Sequence, residues 1–315
     1  MTINPDAGNG TNQTPAAGAD ETPRAIVRLS RDLVKAGETL ADKEARFLVD
    51  NYYAIQKTRI RAGNQMGALS KTKEPHELVG WLNEQSKILE TQISNALRRY
   101  VGAQPLGESV MSVLGIGHIL AAGLLAHIEI ERAPHVGHIY RFAGLTPAIE
   151  WKKGQKRPYN ATLKTLCWKI GDSFVKQSGR ESSWYGAAYK RRKAEEWRRN
   201  LAGEYSERAA AALVAKQYGD DTAARKWYSG AFCDMTESET GPKGIPATDQ
   251  EPGIAMLSPG HIDMRARRWT VKLYLSHLHQ VMYEQHHQKA APPPYPFSHL
   301  GHANRVTPAE AGWEL

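Results

Sequence analysis

The chain has 315 residues, 41% apolar and 23% charged, enough for one large or two modest folded domains. Its 41 basic and 33 acidic residues leave a net charge of +8, a balance that favours a polyanionic partner. Membrane insertion is not expected, because the longest apolar stretch, Ile119–Ile128, is only ten residues and contains His127. The first residues lack both a basic start and an apolar core, so no secretory signal is read there. Two cysteines, Cys167 and Cys233, make neither a zinc knuckle nor a disulfide framework and read as reduced thiols of a cytoplasmic protein.

Residues 1–24 are rich in Gly, Ala, Asn, Thr and Pro without apolar period and read as a disordered leader. Over 25–105 the spacing predicts a coiled-coil-like helical hairpin. Phe47, Leu48, Tyr52, Ile55 and Arg59 mark the first helix, from Asp42 to about Leu69. Pro75 opens a second helix carrying Leu78, Leu82, Leu89, Ile93, Leu97 and Tyr100. Gln residues, Gly63 and Gly67 in the seam weaken it as an autonomous zipper, so it is expected to pack on the rest of the chain or, through 42–100, on a second copy.

Residues 106–178 read as a helix, a glycine turn, an apolar helix, a short helical segment and a basic loop leading to a helix from Ala161 to Lys176. A basic helical region over 179–233 follows, with helices at Ser183–Arg199, Glu204–Tyr218 and Thr222–Phe232. Residues 234–257 read as an exposed acidic linker, and 258–289 as a long basic helix from about Pro259 to His287, stopped by Pro292, Pro293 and Pro294. The Pro/His-rich tail over 290–315 ends the chain. No β-branched run with period two is long enough for a sheet. The fold class is therefore mainly α: a long helical hairpin, a helix-hairpin-helix core and a further helical bundle.

The charge is concentrated. Residues 151–200 hold fourteen Lys or Arg against four acids, a net of +10 that exceeds the charge of the whole chain. Lys152, Lys153, Lys156 and Arg157 lie in the loop WKKGQKRPYN, Arg191 and Arg192 in the following helical region, and Arg265, Arg267 and Arg268 near the start of the last long helix. Trp151, Tyr159, Trp168, Trp184, Tyr185, Tyr189, Trp197 and Trp269 are interleaved with them, a composition suited to phosphate contact with base or sugar packing. In VLGIGHILAA, Gly115 and Gly117 let the backbone turn tightly and approach a phosphate, and His118 starts the helix whose free N–H groups would receive it. Such a device grips backbone and carries little sequence information.

The run from Val113 to Lys176 resembles the C-terminal domain of insertion-sequence transposases of the IS 110/116/902 group. GIGHILAAGLLAHI, the RFAGLTP of Arg141–Pro147, the basic loop and the ATLKTLCWKIGDSF helix match in order and spacing, over about a fifth of the chain. The resemblance implies DNA binding and strand exchange in transposition, guided in some members by a structured RNA. Those transposases also carry a RuvC-like nuclease domain with four metal-binding carboxylates, for which residues 1–41 leave no room, and a catalytic serine before a glycine. Lys153-Gly154 stands at the matching place here, and a lysine cannot replace that nucleophile. The resemblance thus implies an accessory or reduced form that holds DNA without breaking it.

Elsewhere the residues suggest no orthodox active site. His277, His279, His286, His287, His299 and His302 cluster near the C-terminus, but the first two point apart on a helix and no cysteine joins them, so packing or phosphate contact is the preferred role and no metal is assigned. Glu129 with Glu131, Asp220 with Asp221 and Glu195 with Glu196 read as surface or helix-end charges. No catalytic residue and no cofactor is assigned, Mg²⁺ entering only if a partner chain completes a nuclease site. The expected partner is nucleic acid, DNA first and structured RNA second. The alternatives are a recombinase whose carboxylates come from a partner chain and a structural RNA-binding protein.

Overall fold

The computed structural model describes residues 34–72, 77–147, 151–216, 218–219, 221–239 and 241–314; the expected leader and Pro75 lie outside them. Among the described residues the protein is mainly α, with eleven α-helices and one two-stranded sheet. Helices α1 (Asp42–Thr72) and α2 (Glu77–Ala103) form the antiparallel hairpin. Its base is apolar, with Ala45, Val49, Leu97, Tyr100 and Val101 buried. Farther out it is clasped by polar groups: Arg59 Nε lies 2.6 Å from Glu90 Oε2, and Gln56 Nε2 donates to Glu90 Oε1 at 3.1 Å. The expected seam residues Phe47, Leu78 and Leu82 instead face solvent, at 66%, 77% and 41% exposure. Small Ala45 and Val49 and the Arg59–Glu90 clasp occupy the contact, so apolar period alone named the wrong side at these positions.

The hairpin base rests on α4 (His118–His127), which follows the short α3 (Gly107–Ser112). Ala121 and Ala122 are fully buried, and a Cβ on Gly123 would meet Leu166 Cδ2 at 2.7 Å, so close packing is what these small residues permit. Next come α5 (Val136–Phe142), α6 (Ala161–Gln177) and α7 (Trp184–Leu201). The long α10 (Pro259–His287) lies along all three. It opens with Pro at its first turn, as expected, but ends at left-handed Gln288 (φ 51°) rather than at the prolines.

One part of the C-terminal half differs from expectation. Between α10 and the preceding α8 (Ser206–Ala215) and α9 (Ala223–Tyr228), the segment read as a linker holds β1 (Phe232–Thr236) and β2 (Lys243–Pro246), paired antiparallel with a register shift between Phe232 and Asp234. Gly244 sits beneath the Phe232 ring, where a Cβ would collide at 2.3 Å. Met256 and Leu257 are fully buried with Trp197, Tyr205, Trp227 and Ile262 in a second core. Buried Asn200 pins this stretch by donating to Leu257 O (3.0 Å) and accepting from Leu257 N–H (2.8 Å). Strands this short, paired with each other alone, leave no period-two signal.

The Pro/His-rich tail, with a short α11 (Tyr295–His299), returns to the main core. Trp313 stacks on Tyr274, and its indole N–H donates to Tyr185 Oη at 2.7 Å. Tyr185 Oη lies 2.6 Å from His277 Nδ1, and His277 Nε2 lies 3.0 Å from Val306 O. Since a carbonyl only accepts, Nε2 carries the proton and Tyr185 donates to Nδ1. Burial, aided by Arg305 and opposed by the Val306 bond and Glu310, lowers the His277 pKa from 6.5 to about 4. The unfolded chain takes up this proton below about pH 6.5 and the folded chain only near pH 4. This contribution to stability is therefore intact above pH 6.5 and falls by about 3 kcal/mol as the pH drops towards 4. Urea unfolding at pH 7 and pH 5 checks it: the drop in midpoint should shrink in His277→Gln.

Candidate nucleic-acid interface

Between α3 and α4 the backbone turns over Val113–Gly117, closed by Ile116 N–H donating to Val113 O at 2.9 Å. Gly115 is left-handed (φ 103°) and packed: its carbonyl accepts from Ser173 at 2.6 Å, and a Cβ would meet Ser173, Gln177 and Phe174 at 3.2–3.4 Å. Gly117 is exposed, with nothing within 4 Å of a Cβ, and no side chain caps the start of α4 behind it. The His118 ring turns back to α2, 2.7 Å from Ser94 Oγ. Burial, then the charge of Arg98, push its pKa down, so it is neutral at pH 7. Of the three residues expected at a phosphate, Gly117 alone combines exposure with open space. Gly115→Val should lower stability by about 2 kcal/mol, the left-handed backbone being costly for a β-branched residue. Gly117→Val should leave the thermal midpoint unchanged and weaken DNA binding severalfold; wild-type affinity in that variant would remove the α4 terminus from the interface.

The basic loop leaves α5 through left-handed Gly144 (φ 64°), where Gly144 N–H donates to Arg141 O and Leu145 N–H to Tyr140 O, the double bond of a Schellman stop. A Cβ on Gly144 would lie 2.8 Å from the Tyr159 ring. The loop closes on its own start, since Asn160 N–H donates to Phe142 O at 2.8 Å while the Asn160 side chain caps α6 by accepting from Leu163 N–H. Lys152, Lys153, Lys156 and Arg157 are exposed along it, Arg157 lying over the Trp151 ring at 5.3 Å.

At the base of this loop lies a cleft of about 510 Å³. Gly144–Pro147 and Tyr159 form one wall, and Lys164, Arg192, Arg208, Arg265, Arg268 and Lys272 face it across a single carboxylate, Glu196. Glu196 is buried and fully engaged: Arg192 Nη2 lies at 2.5 Å, Arg265 Nε at 2.6 Å, and Tyr205 Oη donates at 2.8 Å. Among the described residues no carboxylate lies within ion-pair range of Lys164, Arg208, Arg268 or Lys272. Burial and then Arg208 and Arg265 lower the pKa of Arg268; burial and then Arg268 lower that of Lys272. His261 is pushed down the same way, by burial and then by Arg208, Arg265 and Arg268. Burial comes first at each site and neighbouring cations add to it, a like-charge repulsion that an anion in the cleft would relieve.

Residues 107–163 match the model of the Transposase IS116/IS110/IS902 family. Over these residues the chain is similar to that family. No curated protein and no solved structure matches the chain significantly. The matched segment supplies the Gly115–Gly117 turn, the basic loop and the Gly144–Pro147 and Tyr159 wall of the cleft. All six facing cations come from beyond it, beginning with Lys164 immediately after its end.

The structure separates the cations that the sequence grouped. Arg192, Arg265 and Arg268 reach the cleft, the first two neutralised by Glu196, which is buried rather than the surface charge expected. Arg267 points elsewhere, held by Asp172 at 3.1 Å and Asp263 at 2.6 Å, and so acts as a structural cation rather than part of a phosphate track. Arg191 lies over Trp184, 5.7 Å from its centroid, beside a different cavity. Tyr185, Tyr189 and Trp197 are core aromatics, whereas Trp269 is exposed at the cleft. Lys164, Arg208 and Lys272 were not singled out as site residues. For Lys272 a signal existed, because Arg265, Arg268 and Lys272 recur at three and four residues on one helix face. Among the described residues no three His, Cys, Asp or Glu are grouped to hold a metal, and no helix is long and apolar enough to cross a membrane. Burial pushes the Cys167 thiol up to about 12, leaving it unreactive.

Proposed function

We propose that this protein binds DNA in transposition or a related recombination reaction in the cytoplasm, gripping the phosphate backbone in the cationic cleft. The observation that carries the reading is the set of four cations without carboxylate partners among the described residues, Lys164, Arg208, Arg268 and Lys272, at the base of the loop of a segment that matches the transposase family. Lys152, Lys153, Lys156 and Arg157 extend the contact along the loop, and the exposed α4 terminus at Gly117, in a helix-hairpin-helix grip, receives a further phosphate. Point charges and backbone N–H groups position a duplex without reading its bases. With Lys153-Gly154 where the family has its serine, the loop holds the strand and supplies no hydroxyl nucleophile of its own at that place. Fluorescence anisotropy with a duplex oligonucleotide across a salt series tests the reading. Four or more phosphate contacts should give a log–log slope of about −4 or steeper; a flat salt response would overturn it.

A further inference from the structure

A second cavity, of about 910 Å³, opens between α10 and the C-terminal tail. That volume is in the range of built ligand sites, about 300–1,000 Å³. Aromatic rings stand on both sides of it, Tyr140 and Trp184 on one and Tyr295 and Phe297 of the tail on the other, with Pro292, Pro293 and Pro294 between. Trp269 and Lys272 line this cavity and the cationic cleft alike, so the two adjoin at that pair. Cations already sit over several of these rings, Lys272 Nζ at 4.6 Å from the Tyr140 centroid, Arg191 at 5.7 Å from Trp184 and Arg192 at 5.4 Å from Trp269. No acidic side chain lines the cavity.

We propose that this aromatic cavity holds an unpaired nucleotide of the DNA strand whose phosphates occupy the cationic cleft. The inference rests on the phosphate reading above and adds a base-holding site to it. An aromatic wall offers every base a stacking face, while the cations at its rim meet the phosphate that accompanies the base. A purely apolar ligand would leave Arg191, Lys272 and Arg305 without a counter-charge, and a free phosphate would leave the aromatic walls uncovered; a nucleotide satisfies both. Intact duplex does not fit this description, because its bases are stacked on one another. The strand must therefore be opened, frayed or already single-stranded at this point.

The test compares a blunt duplex with the same duplex bearing a short single-stranded overhang containing 2-aminopurine, by anisotropy and by 2-aminopurine emission. Wild-type protein should prefer the overhang by about tenfold or more, the scale of one stacked base, with a change in emission on binding. Tyr295→Ala with Phe297→Ala alters partly or fully exposed positions of the tail wall. It should abolish the preference and the emission change while blunt-duplex affinity and its salt slope stay as in wild type. Equal wild-type affinity for the two DNAs, or a preference that persists in the double variant, would overturn the nucleotide site while blunt-duplex binding still upheld the phosphate reading. Failure of both DNAs to bind would overturn the phosphate reading and this one with it. An unchanged thermal midpoint and an unchanged limited-proteolysis pattern of the variant report that the tail remains docked.

Discussion

Replacing Arg208, Arg268 and Lys272 together by alanine is expected to weaken duplex-DNA binding about 10²–10³-fold near 0.1 M salt. Each phosphate contact contributes about 0.9 to the log–log salt slope, so losing three should reduce the slope by about 2.7 and cost nearly three decades at that salt. The effect should be similar for every duplex sequence, since these side chains would meet backbone alone. Stability should not fall, because none of the three is in an ion pair with a carboxylate among the described residues, and Arg268 and Lys272 are held below their ordinary pKa by burial and neighbouring cations. Removing them relieves repulsion. Arg267→Ala provides the contrast: it strips the partner from Asp172 and Asp263 and should lower stability while leaving the salt slope alone. Anisotropy titrations of the two variants across a salt series distinguish them, and an unchanged slope in the triple variant would remove the cleft from the interface.

Glu196→Ala should destabilise the fold by about 3–5 kcal/mol, the range for breaking a buried ion pair and stranding its partner. Here two guanidinium groups, Arg192 and Arg265, and the Tyr205 hydroxyl lose their acceptor at once. Burial alone would raise the Glu196 pKa, but the hydrogen bonds from Arg265 and Tyr205 and the charges of Arg192 and Arg265 outweigh it, and the net shift is downward from 4.5. A carboxylate depressed in the folded state stabilises above its unfolded pKa, about 4.5. That contribution is lost as the pH falls through the lower folded value. The acid limb of the wild-type stability curve below pH 4.5 should accordingly flatten in Glu196→Gln. Urea midpoints over pH 3–7 measure both effects, and a cost below about 1 kcal/mol for the alanine variant would mean that this ion pair does not tie α7 to α10.

The helices were largely legible because helix formation is local. Apolar recurrence at three and four residues marked the hairpin, Pro259 at a first helical turn marked the start of α10, and the run after Asn160 marked α6. The left-handed stop at Gly144 was not read, since RFAGLTP entered only as a piece of the family resemblance. The β1–β2 pair was not legible. It is short, it has no alternating face, and Met256 and Leu257 behind it are buried against residues far away in the chain, among them Trp197 and Asn200, the latter bonding Leu257 at both N–H and carbonyl. The docking of the tail was not legible either, because Trp313 reaches Tyr185 across 128 residues.

For the site, the sequence by itself determined that positive charge gathers around residues 151–200 and near the start of α10, and that a basic, turn-rich loop stands among those cations. Only the tertiary structure decided which cations are free. Arg265 and Arg267 are two residues apart in the chain, yet one faces the cleft and Glu196 while the other is held between Asp172 and Asp263. Helical period could place them on different faces, but the carboxylates that meet them lie on α7, on α6 and on α10 itself. Arg208 enters the cleft from α8 with no sequence signal at all. Charge is counted along the chain, whereas its neutralisation depends on distances of a few ångströms between elements, and the packing of α6, α7, α8 and α10 fixes those distances.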